Sequence, residues 1–232
     1  MSVGLHGVIP AAGIGSRMGG STPKQYLNLN GETLLEHSLR ALLAVPGMQS
    51  VTVALHQADR FAGSLALLSD DRVNTVIGGA ERADSVLAAL HAVPGGAGDW
   101  VLVHDAARPC LQQADVLRLV EHAVSRGEGG ILAERVCDTV KLADSSGHVE
   151  KTLDRSRLWR AQTPQMFRLG ELTQALEAVI ARNLPVTDEA SAMECMGYAV
   201  NLVPGSASNL KVTLPDDLDL AAWYLSRAEG LE

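Results

Sequence analysis

Aromatic side chains are scarce: Phe, Tyr and Trp together make up 3% of this 232-residue chain. With Ala, Leu, Val and Gly filling the composition instead, helices packed on a parallel sheet are favoured over a β-sandwich or barrel. Cysteine is scarce too. Cys110, Cys137 and Cys195 are far apart, odd in number and form no CxxC pair, so buried free thiols in a reducing compartment are expected. A basic excess is missing: 19 Lys and Arg stand against 27 Asp and Glu, a formal net charge of −8. That argues against gripping a nucleic-acid backbone, while leaving room for a local cationic pocket around a small anion. No run approaches the roughly 18 apolar residues of a membrane span. The opening MSVGLHGVIP lacks the charged region and long apolar core of a signal peptide, so the cytoplasm is the expected location, with no membrane partner.

What is present is a core. Hydrophobic residues make up 47% of the chain, enough for one large α/β domain or two small ones. Short, often β-branched runs at 5–10, 51–55, 73–77, 100–104 and 130–134 predict strands buried on both faces. Helical spacing covers 33–45, 82–92 and 113–126, with Thr33 and Glu36 placed for a capping box. Strand and helix alternating at this pace predict a doubly wound, mostly parallel sheet. The pattern changes near residue 136: 139–154 reads as two short alternating strands around an Asp-Ser-Ser-Gly turn, polar on its faces. Such a hairpin is marginal alone. It is expected to be an arm, at about 137–157, that packs on a second copy of the chain, the alternative being a solvated excursion. Helices at 169–182, 188–196 and 216–228 and strands at 199–203 and near 209–213 complete the reading. With no repeat, linker or low-complexity tract, residues 1–232 are read as a single domain plus the arm.

The chemistry gathers in loops that leave strand ends, where open parallel sheets bind ligands. The first is VIPAAGIGSRMGGSTPKQY, residues 8–26. The dinucleotide fingerprint GxGxxG starts at Gly13 and Gly15 but meets Met18 where a third small residue belongs. A Walker loop laid on Gly15 and Gly20 meets Ser21 where its lysine belongs. What remains is a turn exposing backbone N–H groups, followed by Arg17 and Lys24, a set that suits a polyphosphate. A tight turn with two solvated cations is the plainer alternative. GGAERADSV (78–86) and HDAARP (104–109) add further strand-end loops with small residues and cations. Asp105 sits at a strand end, where it can accept from hydroxyls or hold a metal; a salt-bridged corner is the plainer reading.

In chain order, PAAGIGSRM, PKQY, GGAERADSV, VHDAARP, DTVK, TLDR, QTPQ, TDEAS and NLKVT resemble the 2-C-methyl-D-erythritol 4-phosphate cytidylyltransferase family over about residues 8–225. The resemblance implies a Rossmann-like nucleotidyltransferase that joins CTP to a polyol phosphate and releases pyrophosphate. A phosphate monoester is already anionic at neutral pH and needs no general base, which agrees with the lack of a Ser/His/Asp or Cys/His set. Positioning and charge stabilisation are then the protein's task.

By the same resemblance, Arg17 and Lys24 contact the triphosphate and stabilise the transition state, and Arg155 and Lys211 hold the nucleophilic phosphate. Ala11, Ala12, Gly13 and Gly15 bring backbone amides to the nucleotide. Gly79, Ala80, Arg82, Ala83 and Ser85 form the base and ribose side. Asp105 and Arg108 face the methylerythritol phosphate, and Thr163 and Lys211 complete that pocket. Thr139 and Arg155 lie on the arm and serve the site of a neighbouring subunit in a homodimer. Mg²⁺ is implied by triphosphate chemistry, riding mainly on the phosphates without a dedicated carboxylate cage, with Asp105 a candidate neighbour.

Other residues take plainer roles. His6, His37, His56, His91, His122 and His148 have no ligand spacing, and His104 stays open. Asp188 and Glu189 start a helix that also abuts the site in one reading; Met193, Cys195 and Met196 are expected in the core. Rival functions are a cytidylyltransferase for ribitol 5-phosphate or another polyol phosphate, and a non-catalytic nucleotide-binding module.

Overall fold

The computed structural model describes residues 4–13 and 22–229, without the side chains of 228 and 229. Its centre is a seven-stranded sheet. The strands are β1 (Leu5–Ala11), β4 (Met48–Leu55), β5 (Val73–Ile77), β6 (Trp100–Val103), β7 (Gly130–Arg135), β10 (Trp159–Arg168) and β11 (Asn201–Pro204). Two small hairpins lie outside it, β2 (Asn28–Leu29) with β3 (Glu32–Thr33), and β8 (Lys141–Ala143) with β9 (Val149–Thr152). Strand order in the sheet is β11-β7-β10-β6-β1-β4-β5. All neighbours run parallel except β10, which is antiparallel to both β6 and β7. The doubly wound, mostly parallel sheet expected from the sequence is therefore present, with one reversed strand near its middle.

Alternation along each strand sorts its side chains to two faces. On β1, Ile9 joins one core cluster and Val8 the other; on β6, Leu102 parts from Val101 and Val103 in the same way. Helices α1 (Leu34–Leu43) and α3 (Gln113–Arg126) cover the first face through Leu35, Leu39, Leu42, Val116 and Leu119. The other face lies under α2 (Arg82–Ala92), α4 (Leu169–Ala181) and α5 (Glu189–Cys195), through Val86, Leu90, Leu172, Leu176 and Met193. Leu102, Leu39 and Leu172 have no solvent exposure. Truncating any of them to Ala removes its transfer energy and leaves a cavity, a cost of about 2–5 kcal/mol. The capping box of α1 forms as the sequence requires: Glu36 N–H donates to Thr33 Oγ1 at 3.2 Å, and Thr33 N–H donates to Glu36 Oε2 at 2.8 Å. Helix α6 (Pro215–Glu229) begins where Asp217 accepts from the N–H groups of Thr213 and Leu214 at 2.7 and 2.8 Å. Among the described residues no helix is long and apolar enough to cross a membrane.

Several expectations are corrected. Residues 209–213 are not a strand but an irregular segment tied to the turn after β6, with Val212 N–H donating to Ala107 O at 2.8 Å. Strand β10 is missing from the sequence reading, because its middle reads QTPQ, a polar stretch with a proline. Those side chains are buried by the site they serve, and the ladder to β7 shifts register between Ala161 and Gln165. Of the cysteines, Cys110 is buried but Cys137 and Cys195 are exposed, and Met196 is 39% exposed while Met193 is in the core. Helix α5 is short and ends there, at the surface.

Candidate active site

The strand-end loops meet above the carboxyl ends of β1, β5 and β6. The loop after β5 packs directly on the end of β1, so closely that a Cβ on Gly78 would stand 2.6 Å from Ala12 Cβ and 2.8 Å from Ser85 Oγ. A Cβ on Gly79 would collide with Asp84 Cβ, so glycine is required by space at both positions. Ser85 binds this loop back on itself: its hydroxyl accepts from Gly79 N–H at 3.1 Å and donates to Glu81 O at 3.1 Å. A cavity of about 300 Å³ opens between the two loops. Ala11, Ala12 and Gly13 form one wall and Gly79, Ala80 and Ser85 the other. Lys24, Arg82 and Lys211 bring three cations to it, and Glu81 and Asp105 two carboxylates. Lys24 and Lys211, far apart in sequence, thus border one space.

A second cavity of about 260 Å³ adjoins the first. Arg82, Asp105 and Lys211 belong to both and form the dividing wall. Its own side is lined by Arg108, Thr163, Gln165 and Asp188. The reversed strand β10 is what delivers Thr163, since its early residues run past the end of β6, where Asp105 N–H donates to Thr163 Oγ1 at 3.0 Å. The Arg108 guanidinium reaches Asn209 O at 2.7 Å, and the Asn209 side-chain amide donates to Thr163 O at 2.7 Å. These ties hold the Lys211 segment against the Asp105 turn.

Charge in the wall is dense. Asp105 accepts from Arg82 Nε at 3.1 Å and pairs with Lys211 Nζ at 2.8 Å and, more loosely, with Arg108 Nε at 3.6 Å. Burial alone would push its carboxyl up; the charges of Arg82 and Lys211 outweigh that and hold it well below the usual carboxylate range. Behind Arg82 sits Glu189, 1% exposed, accepting from both terminal nitrogens of the guanidinium at 2.6 and 3.1 Å. Glu189 is the residue whose part in the site sequence reasoning left unresolved. Its pairing with Arg82, the first residue of α2, is a three-dimensional fact with no local spacing to announce it. Beneath the wall, His104 is fully buried and pushed down to about 4, first by loss of solvent and against the pull of Asp105. Its Nε2 lies 3.1 Å from Arg108 O, an acceptor only, so Nε2 carries the proton. Nδ1 then accepts from the Thr163 hydroxyl at 2.9 Å, and the ring is neutral.

Some sequence candidates lie elsewhere. Ala83 packs toward the core below the loop. Thr139 and Arg155 are exposed on the arm and border neither cavity; the Arg155 guanidinium donates to Cys137 O at the arm's base. Gly15 and Arg17 lie outside the described residues. Among the described residues no group of three or more His, Cys, Asp or Glu is placed to cage a metal ion. Asp105 is the carboxylate common to both cavities, already shared between two cations.

Comparison with known proteins agrees with this geometry. Residues 5–227 match the family model described as 2-C-methyl-D-erythritol 4-phosphate cytidylyltransferase. The chain is 52% identical over 224 residues to the protein of that name from Aeromonas hydrophila, covering 97% of this chain and 90% of the relative. It is 50% identical to the one from Pseudomonas putida, covering 96% and 95%. Among solved structures it is similar to the Francisella tularensis 2-C-methyl-D-erythritol 4-phosphate cytidylyltransferase, with a TM-score of 0.82, 40% identity and coverage of 95% and 99%. The Thermus thermophilus structure of the same name gives a TM-score of 0.80 at 32% identity, covering 98% and 100%.

Proposed function

The chain belongs to the 2-C-methyl-D-erythritol 4-phosphate cytidylyltransferase family, and from that premise we propose how its residues divide the work. It is a CTP-dependent cytidylyltransferase of isoprenoid precursor biosynthesis: it transfers CMP from CTP to 2-C-methyl-D-erythritol 4-phosphate, giving 4-diphosphocytidyl-2-C-methyl-D-erythritol and pyrophosphate. The carrying observation is a pair of adjoining cavities that share one charged wall, Asp105–Arg82–Lys211. CTP takes the first cavity and the polyol phosphate the second, so the two anions meet at that wall.

An oxygen of the acceptor phosphate then attacks the α-phosphorus of CTP in line, and the bond to the pyrophosphate oxygen breaks. Both reactants are anions, so the barrier is lowered by cations fixed around the junction before the reaction begins. Lys24 and Arg17 face the triphosphate, while Lys211 and the partner copy's arm hold the acceptor phosphate. Asp105 accepts from the polyol hydroxyls, and its carboxylate, ionised by its cationic neighbours, keeps that capacity across the neutral range. Small residues around the first cavity, Ala11, Ala12, Gly13, Gly79 and Ala80, let backbone groups approach a pyrimidine and leave little room for a purine. Magnesium, when bound, neutralises triphosphate charge. With no carboxylate cage among the described residues, the ion would be held mainly by the nucleotide's own oxygens, and Asp105 would be the candidate protein carboxylate for it.

We further read residues 1–232 as one nucleotidyltransferase domain whose arm, at about 137–157, serves a homodimer in the cytoplasm. Exposed Leu142 and Val149 on the hairpin, and cationic Arg155, which lines neither of its own chain's two cavities, support that reading. The test is pyrophosphate release with a panel of acceptors and of nucleotides. Methylerythritol phosphate with CTP is expected to give the highest kcat/KM. Preference for ribitol 5-phosphate would reassign the acceptor, and no release with any acceptor would favour a nucleotide-binding module.

A further inference from the structure

The turn that carries Lys24 is anchored three ways. Its backbone closes on itself, with Tyr26 N–H donating to Pro23 O at 2.9 Å and Leu27 N–H to Lys24 O at 3.1 Å. The Tyr26 phenol donates to Asp59 Oδ2 at 2.7 Å, and its ring stacks on Phe61 with centroids 5.0 Å apart. The third anchor is Gln25. Its side-chain amide donates to Ala11 O at 2.8 Å and to Gly13 O at 3.0 Å. The residue is 6% exposed and lines the first cavity together with Ala11, Gly13 and Lys24.

These anchors differ in what they fix. The phenol and the stacked rings tie the turn to the Asp59–Phe61 segment. Of these three anchors, the Gln25 amide is the one whose hydrogen bonds tie the turn to the end of β1, whose backbone faces the proposed nucleotide cavity. An amide NH₂ has two donor hydrogens in one plane, which suits two carbonyls flanking a single residue. A carboxylate in its place has no hydrogen to give, and a lysine or arginine would add a charge. We infer that Gln25 is a positioning residue for the transfer, clasping the end of β1 to the Lys24 turn so that ammonium and backbone donors meet the triphosphate in fixed register. This inference rests on Lys24 contacting the triphosphate. Misplacement by about 1 Å is enough to cost ~100-fold in rate.

Gln25→Met keeps length and bulk and removes both donated hydrogen bonds. With circular dichroism and melting temperature measured alongside, kcat per folded enzyme is expected to fall at least ~10-fold, with the acceptor KM changed less than ~2-fold. In a Lys24→Ala background the same change is expected to alter kcat less than ~3-fold, since the group it positions is already gone. A kcat near normal with only a lower melting temperature makes Gln25 structural and overturns the inference, as does a full additive loss in the double variant. Should Gln25→Met fail to fold, Gln25→Glu, which has the same shape and no hydrogen to donate at neutral pH, takes its place with the same criteria. If the parent enzyme forms no product, the functional reading falls by itself. Calorimetric titration with CTP then decides the inference: weakened binding in Gln25→Met supports it, and unchanged affinity overturns it.

Discussion

The wall between the two cavities and the arm carry the same kinds of side chain and treat them in opposite ways. In the wall, each charge is answered within the chain: Asp105 by Arg82 and Lys211, and Arg82 in turn by Glu189. On the arm, β8 and β9 are exposed throughout, Leu142 and Val149 included. The difference separates what a single chain assembles from what the proposed dimer would use. A buried charge network has to be complete before substrate arrives, because each unanswered member costs desolvation energy. An exposed arm carries no such requirement, and its residues can be supplied to a second copy without destabilising the first.

The largest expected effect comes from breaking the wall. Asp105→Ala leaves Arg82, Lys211 and Arg108 facing one another without their shared anion, a loss of about 3–5 kcal/mol in urea unfolding. Asp154→Ala on the arm removes an exposed carboxylate whose partners are the N–H and side chain of nearby Ser156, and no resolvable change in the unfolding midpoint is expected. Equal midpoints for the two variants would erase the contrast. Next comes Lys24→Ala. It should fold normally and lose ~100-fold or more in kcat, corresponding to about 2.7–4 kcal/mol for a lost charge-stabilising donor. Steady-state kinetics with near-normal kcat would remove Lys24 from the chemistry.

The wall and the histidine beneath it also predict a pH response. His104 is neutral when folded and pushed down to about 4, whereas an unfolded histidine protonates near 6.5. As pH falls below about 6.5 the unfolded chain takes up a proton that the folded chain refuses. Folding stability should drop by about 2 kcal/mol between pH 6.5 and 5 from this group. Asp105 adds to the loss in stronger acid, because its folded carboxyl is held below the normal range: its contribution is present above about pH 4 and fades as pH falls further. Urea titrations of the parent and of His104→Gln at pH 7 and 5 should show the parent losing more. Equal losses would mean that His104 is not the titrating group.

How much of this is readable in advance depends on whether a residue's partner is local. Strands β1, β4, β6 and β7 announce themselves as largely apolar runs because most of their side chains are buried, whereas β5, expected to be buried on both faces, is a largely exposed edge strand that carries Asn74 and Thr75. The capping box at Thr33 and Glu36 is a matter of three residues. Strand β10 is hidden because the site needs Gln162, Thr163 and Gln165 inside it, and their partners, such as Asp188 and Ser206, lie in other elements. NLKVT alternates like a strand yet is held irregular, since Asn209 and Val212 spend their hydrogen bonds on Thr163 and Ala107. The strand-end position of HDAARP points to Asp105 and Arg108, the family resemblance adds Lys211, and the fold brings the three together. Gln25 stands inside the PKQY motif, but nothing in that motif announces its two acceptors, Ala11 O and Gly13 O, which precede the opening loop.

The smallest expected effect on the folded chain is the one that most sharpens the comparison. Arg155 is exposed, borders neither cavity of its own chain, and contacts Cys137 O at the arm's base. If the arm serves a second copy, Arg155→Ala leaves the melting temperature of the chain and its affinity for CTP unchanged, and raises KM for the acceptor by about 10-fold, roughly the worth of one exposed charge-assisted contact to phosphate. Mixing Arg155→Ala with Lys24→Ala then gives a sharper readout than either alone. Each variant supplies what the other lacks: an intact cavity from one, an intact arm from the other. In an arm-exchanged dimer the mixture therefore recovers activity per site above the average of the two pure variants, with one of the two sites in each mixed dimer whole. If the mixture shows only the average, Arg155 acts within its own chain. The arm would then be a solvated excursion, and the acceptor phosphate would be held by the wall alone.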